Sequence, residues 1–563
     1  MKIKTMKMKL TKLFIASCLP LFMSAQSMNN CVVANSDTAY LHGNAIKTII
    51  SADGSLFWDG ANAQFWVPYN SGSTQQTSTI FAGGLWIGGY DSGGNLKLAA
   101  QTYNQSGADY FYGPLDSVGT TNSNVCGDYN RVWRVDAPMV QAHLQHYIAT
   151  GGNVTQVDSI LLAWPGRNNP HLSTTLGFSL PANRDFAPFY DKNGDNIYNP
   201  FDGDYPVFDS NDSTAIASSM TWNIYNDNGN IHASTGGQAL LVEVHQTAYA
   251  LNCPNDPLLN HTIFIRQSIV SRNTLALFDV RAGLWFDFDL GCYQDDYAGT
   301  AVGHNAVFAY NGDANDELNC GFGTYGYGVK PPVQSAMLLN QNLYKSMYYE
   351  NSTDPQRGNP GTAIQHYRLI NGQFLNGTTA PDYMYDGMPS DTSASANTMV
   401  HAAAVPNDFR NLMVVNLDTL RPNAVHHIDV AYVYHRDSSL ADNIEMTDLV
   451  YSELPIVQGW YDNGFPASCF PAQTLAVRQA LNANASLVRL FPNPNTGSFS
   501  IETPSEQDYQ LQIFDMTGRL LYEKALRGAN TYSVELPSLA AGMYFYQLAN
   551  EKESYSGKLL IKQ

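Results

Sequence analysis

The chain has 563 residues and a formal net charge of −19 at pH 7, with 14% of its residues charged and 12% aromatic. The negative charge disfavours nucleic acids and anionic membranes as partners and favours cations. A chain of this length is too long for one small hydrophobic core, so we expect two or more domains. Sparse charge and abundant aromatic and turn residues are typical of extracellular β-rich proteins rather than helical enzymes.

The N-terminal segment has the three parts of a secretory signal peptide. Five lysines lie in residues 2–12, residues 13–23 are mainly apolar, and Ser24-Ala25-Gln26 offers a small-residue cleavage site. We predict cleavage after Ala25, so that residues 1–25 are the signal peptide. A lipid-anchoring signal ending at Cys18 is the alternative, but it would leave a very short apolar region. No later segment has the ~20 apolar residues that span a bilayer, so an integral membrane protein is not expected.

Strand and turn signals dominate the chain from residue 26 onward. Residues 78–100 predict a β-hairpin, because two strand-like runs flank a turn rich in Ser, Gly and Asn. One helix is predicted from Ala137 to Thr150, with Asp136 as its N-cap. Further strand-like runs lie at 239–250, 261–271, 277–289, 305–310 and 425–435.

These patterns predict a mainly β fold composed of several antiparallel β-sandwich domains. We place an N-terminal β-rich domain at 26–205, ending in an Asp-rich loop, and a second sandwich-like domain at 206–469. Residues 470–488 are rich in Ala, Asn and Gln and are predicted to be a linker.

The acidic loop at 191–202, Asp-Lys-Asn-Gly-Asp-Asn-Ile-Tyr-Asn-Pro-Phe-Asp, is the clearest site-like motif. Oxygen ligands at positions 1, 3 and 5, a carbonyl at 7 and a carboxylate at 12 follow the ligand order of an EF-hand-type calcium loop. Position 6 is Asn rather than Gly, position 12 is Asp rather than Glu, and flanking helices are not evident. We predict an isolated structural calcium loop, and an acidic turn without metal is the alternative. The predicted ligands are Asp191, Asn193, Asp195, Ile197 and Asp202.

A second acidic group comprises Asp287, Asp289, Asp295 and Asp296. On a strand, Asp287 and Asp289 share one face. Four carboxylates this close in sequence repel one another unless a cation or protons neutralise them. A weaker calcium site is one interpretation, and a carboxylate pair for glycoside hydrolysis or a solvated strand edge are the others.

Six cysteines remain after the predicted cleavage, and an even number in an exported chain favours disulfide bonds. Their spacings match no zinc-binding pattern, and fifteen pairings are open. We favour Cys292 with Cys320, which are closest in sequence, and free buried thiols are the alternative. The six are Cys31, Cys126, Cys253, Cys292, Cys320 and Cys469.

Residues 489–563 alternate short strands with turns, a pattern that predicts a small antiparallel β-sandwich. The segment opens on Leu-Phe-Pro-Asn-Pro-Asn-Thr-Gly at 490–497 and closes on Lys-Leu-Leu-Ile-Lys at 558–562. It closely resembles the type A C-terminal sorting domain of the Bacteroidota type IX secretion system, which implies an immunoglobulin-like fold. The residues that carry this resemblance include Pro492, Asn493, Pro494, Gly497, Gly518, Gly542, Tyr544 and Lys558.

This resemblance implies a route and its partners. The chain would pass through the periplasm and cross the outer membrane by the type IX translocon, and a sorting peptidase would remove the module. The product would be secreted or attached to the outer cell surface. The resemblance does not identify what the rest of the chain does there.

A second resemblance covers most of the body. Segments 81–89, 113–116, 203–206, 288–291 with 295–296, and 309–313 recur in the same order in a set of large secreted Bacteroidota proteins. No activity is established for that set, so the resemblance implies a shared architecture and no reaction.

We interpret the body as a noncatalytic surface or secreted protein, an adhesin, glycan binder or matrix component stabilised by calcium. Exposed aromatic rings would stack on sugars of extracellular glycans. The alternative is a secreted hydrolase acting on polysaccharide through the acidic residues at 287–296, so enzyme activity stays open. The tryptophans considered for sugar stacking are Trp58, Trp66, Trp86 and Trp164.

Overall fold

A computed structural model describes residues 30–321, 323–470, 488–515, 519–536, 539–550 and 554–562. The predicted signal peptide at 1–25 lies outside the described residues, and so does the predicted linker at 470–488 apart from its two end residues. Within the described ranges, no helix is long and apolar enough to cross a membrane.

The body is built mainly from strands, with short helices between them. Its strands are β1 (Thr38–His42), β2 (Lys47–Ser51), β3 (Ile80–Tyr90), β4 (Leu96–Ala100), β5 (Phe111–Tyr112), β6 (Trp133–Asp136), β7 (Phe189–Tyr190), β8 (Tyr205–Pro206), β9 (Ser219–Asn226), β10 (Val242–Ala250), β11 (Thr262–Ser271), β12 (Leu277–Phe288), β13 (Asp296–Ala301), β14 (Ala306–Asn311), β15 (Asn315–Asp316), β16 (Gly328–Val329), β17 (Val333–Leu338), β18 (Lys345–Glu350), β19 (Phe409–Leu420) and β20 (Val425–His435). Its helices are α1 (Ser123–Asp128), α2 (Ala137–Ala149), α3 (Ser159–Leu162), α4 (Leu172–Leu176), α5 (Pro257–Asn260), α6 (Ala363–Ile370), α7 (Asn443–Met446) and α8 (Asp448–Asn463).

Most of these strands form two large antiparallel sheets, which confirms the predicted fold class. The first sheet has nine strands in the order β13-β14-β17-β20-β11-β10-β9-β5, with β6 also paired to β9. The second has five strands in the order β18-β19-β12-β3-β4. Neighbouring strands come from distant parts of the chain, since β3 pairs with β12 and β11 pairs with β20. Long-range pairing therefore defines the body.

The two sheets pack face to face. Phe286 of β12 contacts Tyr432 of β20 at a ring-centroid distance of 5.7 Å, and Phe57 contacts the same tyrosine at 5.0 Å. The buried hydroxyl of Thr79 donates to Gln334 of β17 at 2.6 Å. Edge-on aromatic packing of this kind is typical of a sandwich core.

The outer face of the five-stranded sheet is covered as well. Helix α6 lies on it, where His366 packs on Trp86 of β3 at 4.6 Å. Glycines allow this close approach, because a Cβ at Gly88 would lie 2.8 Å from Tyr367 and one at Gly283 would lie 2.5 Å from Ile370. Burial on both faces explains why the central strands read as nearly continuous apolar runs.

The predicted domain boundary at residue 205 runs through both large sheets. Strands β3 and β4 pair into the same sheet as β12 and β19, and β5 and β6 pair with β9. Residues from both predicted domains share one hydrophobic core. Local periodicity identifies strands but not their partners, so the mixing of the two segments could not be derived from it.

Individual elements agree with the sequence predictions. The predicted helix is α2, which ends one residue before the predicted end, although Asp136 makes no side-chain cap and pairs with Arg134 instead. The strand-like runs correspond to β10, β11, β12, β14 and β20. In β12, Asp287 and Phe286 face opposite sides as alternation requires.

The C-terminal module is a separate antiparallel β structure with its own core, as predicted. Ile501, Leu511, Ile513, Leu548 and Leu559 are buried in that core. Its strands are β21 (Arg489–Phe491), β22 (Ser498–Phe514), β23 (Leu520–Glu535), β24 (Gly542–Ala549) and β25 (Ser554–Ile561), in the order β21-β22-β24-β25 with β23 paired to β22.

Candidate functional site

A cleft of about 1030 Å³ lies on the outer face of the five-stranded sheet. Strands β3, β12, β18 and β19 contribute its floor, and loops around residues 58–66 and 102–106 contribute one wall. Its lining combines aromatic rings with carboxylates and one guanidinium group. The half-buried aromatic residues of the lining are Trp58, Trp66, Phe81, Tyr103, Tyr293 and Tyr325.

Five of the aromatic residues in the cleft form a continuous row. Trp58 contacts Phe81 and Tyr103 at ring-centroid distances of 6.1 and 5.4 Å. Tyr103 contacts Trp285 at 5.1 Å, and Trp285 stacks on Trp86 at 6.3 Å. We call Trp58, Phe81, Tyr103, Trp285 and Trp86 the aromatic row. Its members hold one another in place: the buried rings of Trp86 and Trp285 support the row, whose half-buried members Trp58, Phe81 and Tyr103 present a rigid apolar surface.

A buried ion-pair network lies against the aromatic row. Arg410 of β19 faces Asp287 of β12 directly across the ladder, and its Nε lies 3.1 Å from Oδ1 of Asp287. Arg410 also pairs with Asp408. The hydroxyl of Tyr103 donates to Asp287 and accepts from Arg410 Nη2 at 3.1 Å. One guanidinium group therefore offsets the charge of two buried carboxylates.

A third carboxylate, Asp289, completes the acidic floor of the cleft. One oxygen from each of Asp287, Asp289 and Asp408 lies within 4.8 Å of the others. Burial raises the pKa of Asp287 to about 7, although Arg410 opposes the shift. Burial also raises the pKa of Asp289 well above its usual range, and the Asp287 carboxylate adds to this. Such a group can share protons among its members and accept hydrogen bonds from hydroxyl groups.

The structure separates the four acidic residues that the sequence grouped together. Asp287 and Asp289 lie in the cleft, whereas Asp295 lies beside Asp316 and Glu317, with one carboxylate oxygen of each within 4.8 Å of the others. Asp296 is buried, and this burial raises its pKa. The nearby carboxylate of Asp295 raises the pKa of Asp296 further. Sequence reasoning missed the partners in both places because these are distant in the chain.

The predicted calcium loop folds as a series of tight turns. The carboxylate of Asp191 accepts hydrogen bonds from the amides of Gly194 and Asn196, both at 2.7 Å, and Asp195 accepts from Ile197 at 2.8 Å. Asn196 has φ +61° at the position where the EF-hand pattern has glycine. These turns order the loop by themselves, and calcium binding there stays a prediction.

The remaining predicted ligands of that loop have contacts of their own. Asn193 accepts from the amide of Asp195 at 3.0 Å, and Asp202 accepts from Asn199 Nδ2 at 2.6 Å. Within the described part of the chain, no three acidic, His or Cys ligand atoms of this loop lie within 4.8 Å of one another. The fully buried Asp204, which the sequence analysis did not select, accepts from the amides of Lys192 and Asn199 and fastens the loop.

The four tryptophans considered for sugar stacking have different environments. Trp58 and Trp66 are half-buried in the cleft. Trp86 is fully buried beneath the floor of the cleft. Trp164 is fully buried outside the cleft lining, and its indole donates to the carbonyl of Pro188, so its role is structural packing.

All six cysteines considered in the sequence form disulfide bonds. The predicted pair Cys292–Cys320 is confirmed. It lies beside Asp316, whose carboxylate accepts from the amide of Cys292. The other two pairs are Cys31–Cys126 and Cys253–Cys469.

The residues of the predicted sorting signal join the two ends of the C-terminal module. The side chain of Asn493 donates to the carbonyl of Lys558 and accepts from the amide of Leu560. Gly497 has φ +97° and donates to Asn495. Pro492 and Pro494 flank Asn493 in this turn, while Gly542 and Tyr544 lie on β24. Gly518 lies outside the described residues.

Residues 489–562 match the model of the secretion system C-terminal sorting domain. This match confirms the sorting module that the sequence predicted, and it marks the chain for export by the type IX system to the cell surface or medium. The sorting domain also implies contact with the type IX secretion machinery.

Comparison with curated proteins found no match for this chain. Among solved structures, a polysaccharide lyase is similar at 10% sequence identity, over 57% of this chain and 34% of the lyase, with a TM-score of 0.18. The chain therefore spans about a third of the length of that lyase. A similarity this weak carries no argument about fold or function.

Proposed function

We propose that this exported protein binds a carbohydrate chain in the cleft, as a noncatalytic surface or secreted component. The observation that supports the proposal is the aromatic row beside the acidic floor. Sugar rings present apolar C–H faces that stack on aromatic rings, while their hydroxyl groups donate to carboxylates. Half-buried Trp58, Phe81 and Tyr103 offer the first surface, and Asp289 and Asp408 offer the second.

The charge of the cleft indicates which glycans it would take. Three carboxyl groups face one guanidinium group, and burial raises the pKa of Asp287 and Asp289, so the floor is neutral when these two are protonated and negative when they ionise. In neither state does the floor attract polyanionic chains such as uronates and sulfated glycans. Neutral or amino-sugar chains fit better, and cell-surface or matrix glycans of this kind are the proposed partners.

Replacing Trp58 by alanine should weaken binding of a neutral oligosaccharide about tenfold, which corresponds to about 1.4 kcal/mol. The reason is the loss of the partly exposed stacking surface of Trp58 at the end of the aromatic row. Calorimetry with cello-, xylo-, manno- and chito-oligosaccharides would measure the change. Phe278→Ala is the matched control, because this exposed aromatic residue lies outside the cleft lining. Equal affinity for wild type and Trp58→Ala would contradict the proposal.

A secreted glycoside hydrolase is the second candidate, favoured by the short separation of the carboxylates. Retaining glycosidases place their two carboxyl groups about 5–5.5 Å apart, and the nearest oxygens of Asp289 and Asp408 lie within 4.8 Å. Asp289 would donate its proton to the leaving oxygen while an Asp408 oxygen forms a bond to the anomeric carbon. Water would then cleave the glycosyl ester, return its proton to Asp289 and release Asp408.

The hydrolase candidate is tested by Asp289→Asn, which keeps the shape of the side chain. If the protein cleaves glycosidic bonds, this variant should lose at least a hundredfold of the rate of reducing-end release while it retains the bound oligosaccharide. Asp185→Asn, an exposed carboxylate paired with Arg167 on the surface, is the control. No release of reducing ends by the wild type on the same oligosaccharides would leave binding as the function.

A further inference from the structure

A second group of carboxylates lies beside the Cys292–Cys320 disulfide. One oxygen from each of Asp295, Asp316 and Glu317 lies within 4.8 Å of the others. Asp316 is fully buried, Asp295 is half-buried, and Glu317 is exposed. We call these three residues the Asp316 cluster. Because Glu317 is exposed, an ion could reach the Asp316 cluster from solvent.

In the part of the chain that the structure describes, no basic side chain offsets the charge of the Asp316 cluster. Among the described residues, none of its members forms an ion pair with Lys, Arg or His. Glu243, an equally buried acid, shows the contrast, because it pairs with both Arg184 and Arg272. Burying an ionised carboxylate without a compensating charge is costly. The cluster therefore requires either protons or a cation.

Two buried oxygens near the cluster have no partner of their own. Asp296 is 2% exposed, its Oδ2 accepts from the amide of Leu290 at 3.0 Å, and its Oδ1 has no hydrogen-bond donor. Asp295 Oδ1 is likewise without a donor, while its Oδ2 accepts from Asn311. Asp295, Asp289 and Asp316 all act electrostatically on Asp296, so its carboxyl group adds negative charge near the cluster without being one of its three members. Unpartnered buried acceptors of this kind are uncommon in folded proteins.

The surrounding backbone is shaped around Asp316. Its carboxylate accepts from the amides of Cys292, at 3.1 Å, and Tyr327. A Cβ at Gly291 would lie 2.2 Å from Asp316 Oδ2, and a Cβ at Gly326 would lie 2.4 Å from Oδ1. Only glycine fits at these two positions, so the carboxylate is held in a preformed cradle rather than on a mobile loop.

We propose that the Asp316 cluster binds a calcium ion through oxygens of Asp295, Asp316 and Glu317, with Asp296 adding negative charge from the buried side. The ligands are all oxygen, which suits a hard cation such as Ca²⁺. The sulfurs of Cys292 and Cys320 are joined to each other, so thiolate ligation of zinc is not available. This site is distinct from the loop at 191–202 and contains two ligands that the sequence did not indicate.

The test is titration of the full-length exported chain with Ca²⁺ and with Tb³⁺, whose luminescence nearby tyrosines sensitise. The wild type should bind calcium, and its melting temperature should rise with calcium and fall with chelator. Asp316→Asn should bind at least tenfold more weakly and lose the terbium signal of this site. A second variant, Asp295→Asn/Glu317→Gln, changes less buried positions and serves if Asp316→Asn does not fold. It should also bind calcium at least tenfold more weakly and lose the terbium signal of this site.

A control variant separates this site from the predicted loop. Asp191→Asn/Asp195→Asn removes two carboxylates of the loop and should leave the signal of the Asp316 cluster unchanged. The proposal is overturned if the wild type shows no calcium response. It is also overturned if the whole response is lost in the loop variant and kept in Asp295→Asn/Glu317→Gln.

Discussion

Replacing Arg410 by methionine is expected to lower the free energy of unfolding by about 3–5 kcal/mol. Its guanidinium group is almost fully buried and pairs with Asp287 and Asp408 at once. Methionine retains much of the apolar stem but leaves two buried carboxylates without a cation. The loss of a buried partner costs more than the pair itself contributes, because the remaining charges cannot reach water.

The effect of this substitution should depend on pH. In the folded state the pKa of Asp287 is raised to about 7, whereas an unfolded carboxyl titrates near pH ~4. The folded state therefore holds an extra proton between these values, and the stability that Asp287 contributes is present below about pH 4 and is lost as pH rises toward 7. Arg410 lowers this pKa, so its removal should cost least near pH ~5 and most above neutrality.

Urea unfolding of the two proteins at several pH values between 5 and 8 would measure both effects. Arg134→Met is the matched control, since Arg134 pairs with Asp136 in a partly exposed position. Exposed pairs contribute about 0–1 kcal/mol, so this control should unfold like the wild type. A difference below about 1 kcal/mol for Arg410→Met at pH 8 would show that the buried network does not stabilise the fold.

Features carried by adjacent residues were predictable from the sequence. The turn at Asn493 and the closing strand could be recognised because each is a short continuous pattern, although Asn493 bonds to Lys558 only in the folded module. Helix α2 and the alternation of β12 follow from local periodicity in the same way. The Cys292–Cys320 pair follows from a short separation of 28 residues.

Features that depend on strand register were not predictable. Arg410 faces Asp287 across a separation of 123 residues, and nothing near either residue in the sequence indicates the other. The same applies to Asp316, which approaches Cys292 only because β15 and the loop at 289–292 fold together. The sequence identifies the charged residues, but the pairing of the strands determines which carboxylate lies beside a guanidinium group and which does not. The two acidic groups therefore differ chemically although the sequence treats them alike.

The three disulfides should contribute unequally, and removal of Cys253–Cys469 is expected to have the largest effect. It closes a loop with a sequence separation of 216 residues, compared with 28 for Cys292–Cys320. Each bond stabilises the fold because it lowers the entropy of the unfolded chain. This stabilisation is about 5 kcal/mol for Cys253–Cys469 and about 3.5 kcal/mol for Cys292–Cys320. Both are upper values, because an unfolded chain retains some structure.

The location of this disulfide gives the loss a further consequence. Cys469 is the end of the body, and the adjacent Phe470 packs on Phe208 at a ring-centroid distance of 6.5 Å. Without the bond, the segment after α8 loses its covalent link to Cys253 and should become more accessible to protease. Urea unfolding and limited proteolysis of Cys253→Ala/Cys469→Ala and Cys292→Ala/Cys320→Ala would compare the two. A larger loss in the second variant would mean that local structure around Cys292, rather than loop length, sets the contribution of each bond.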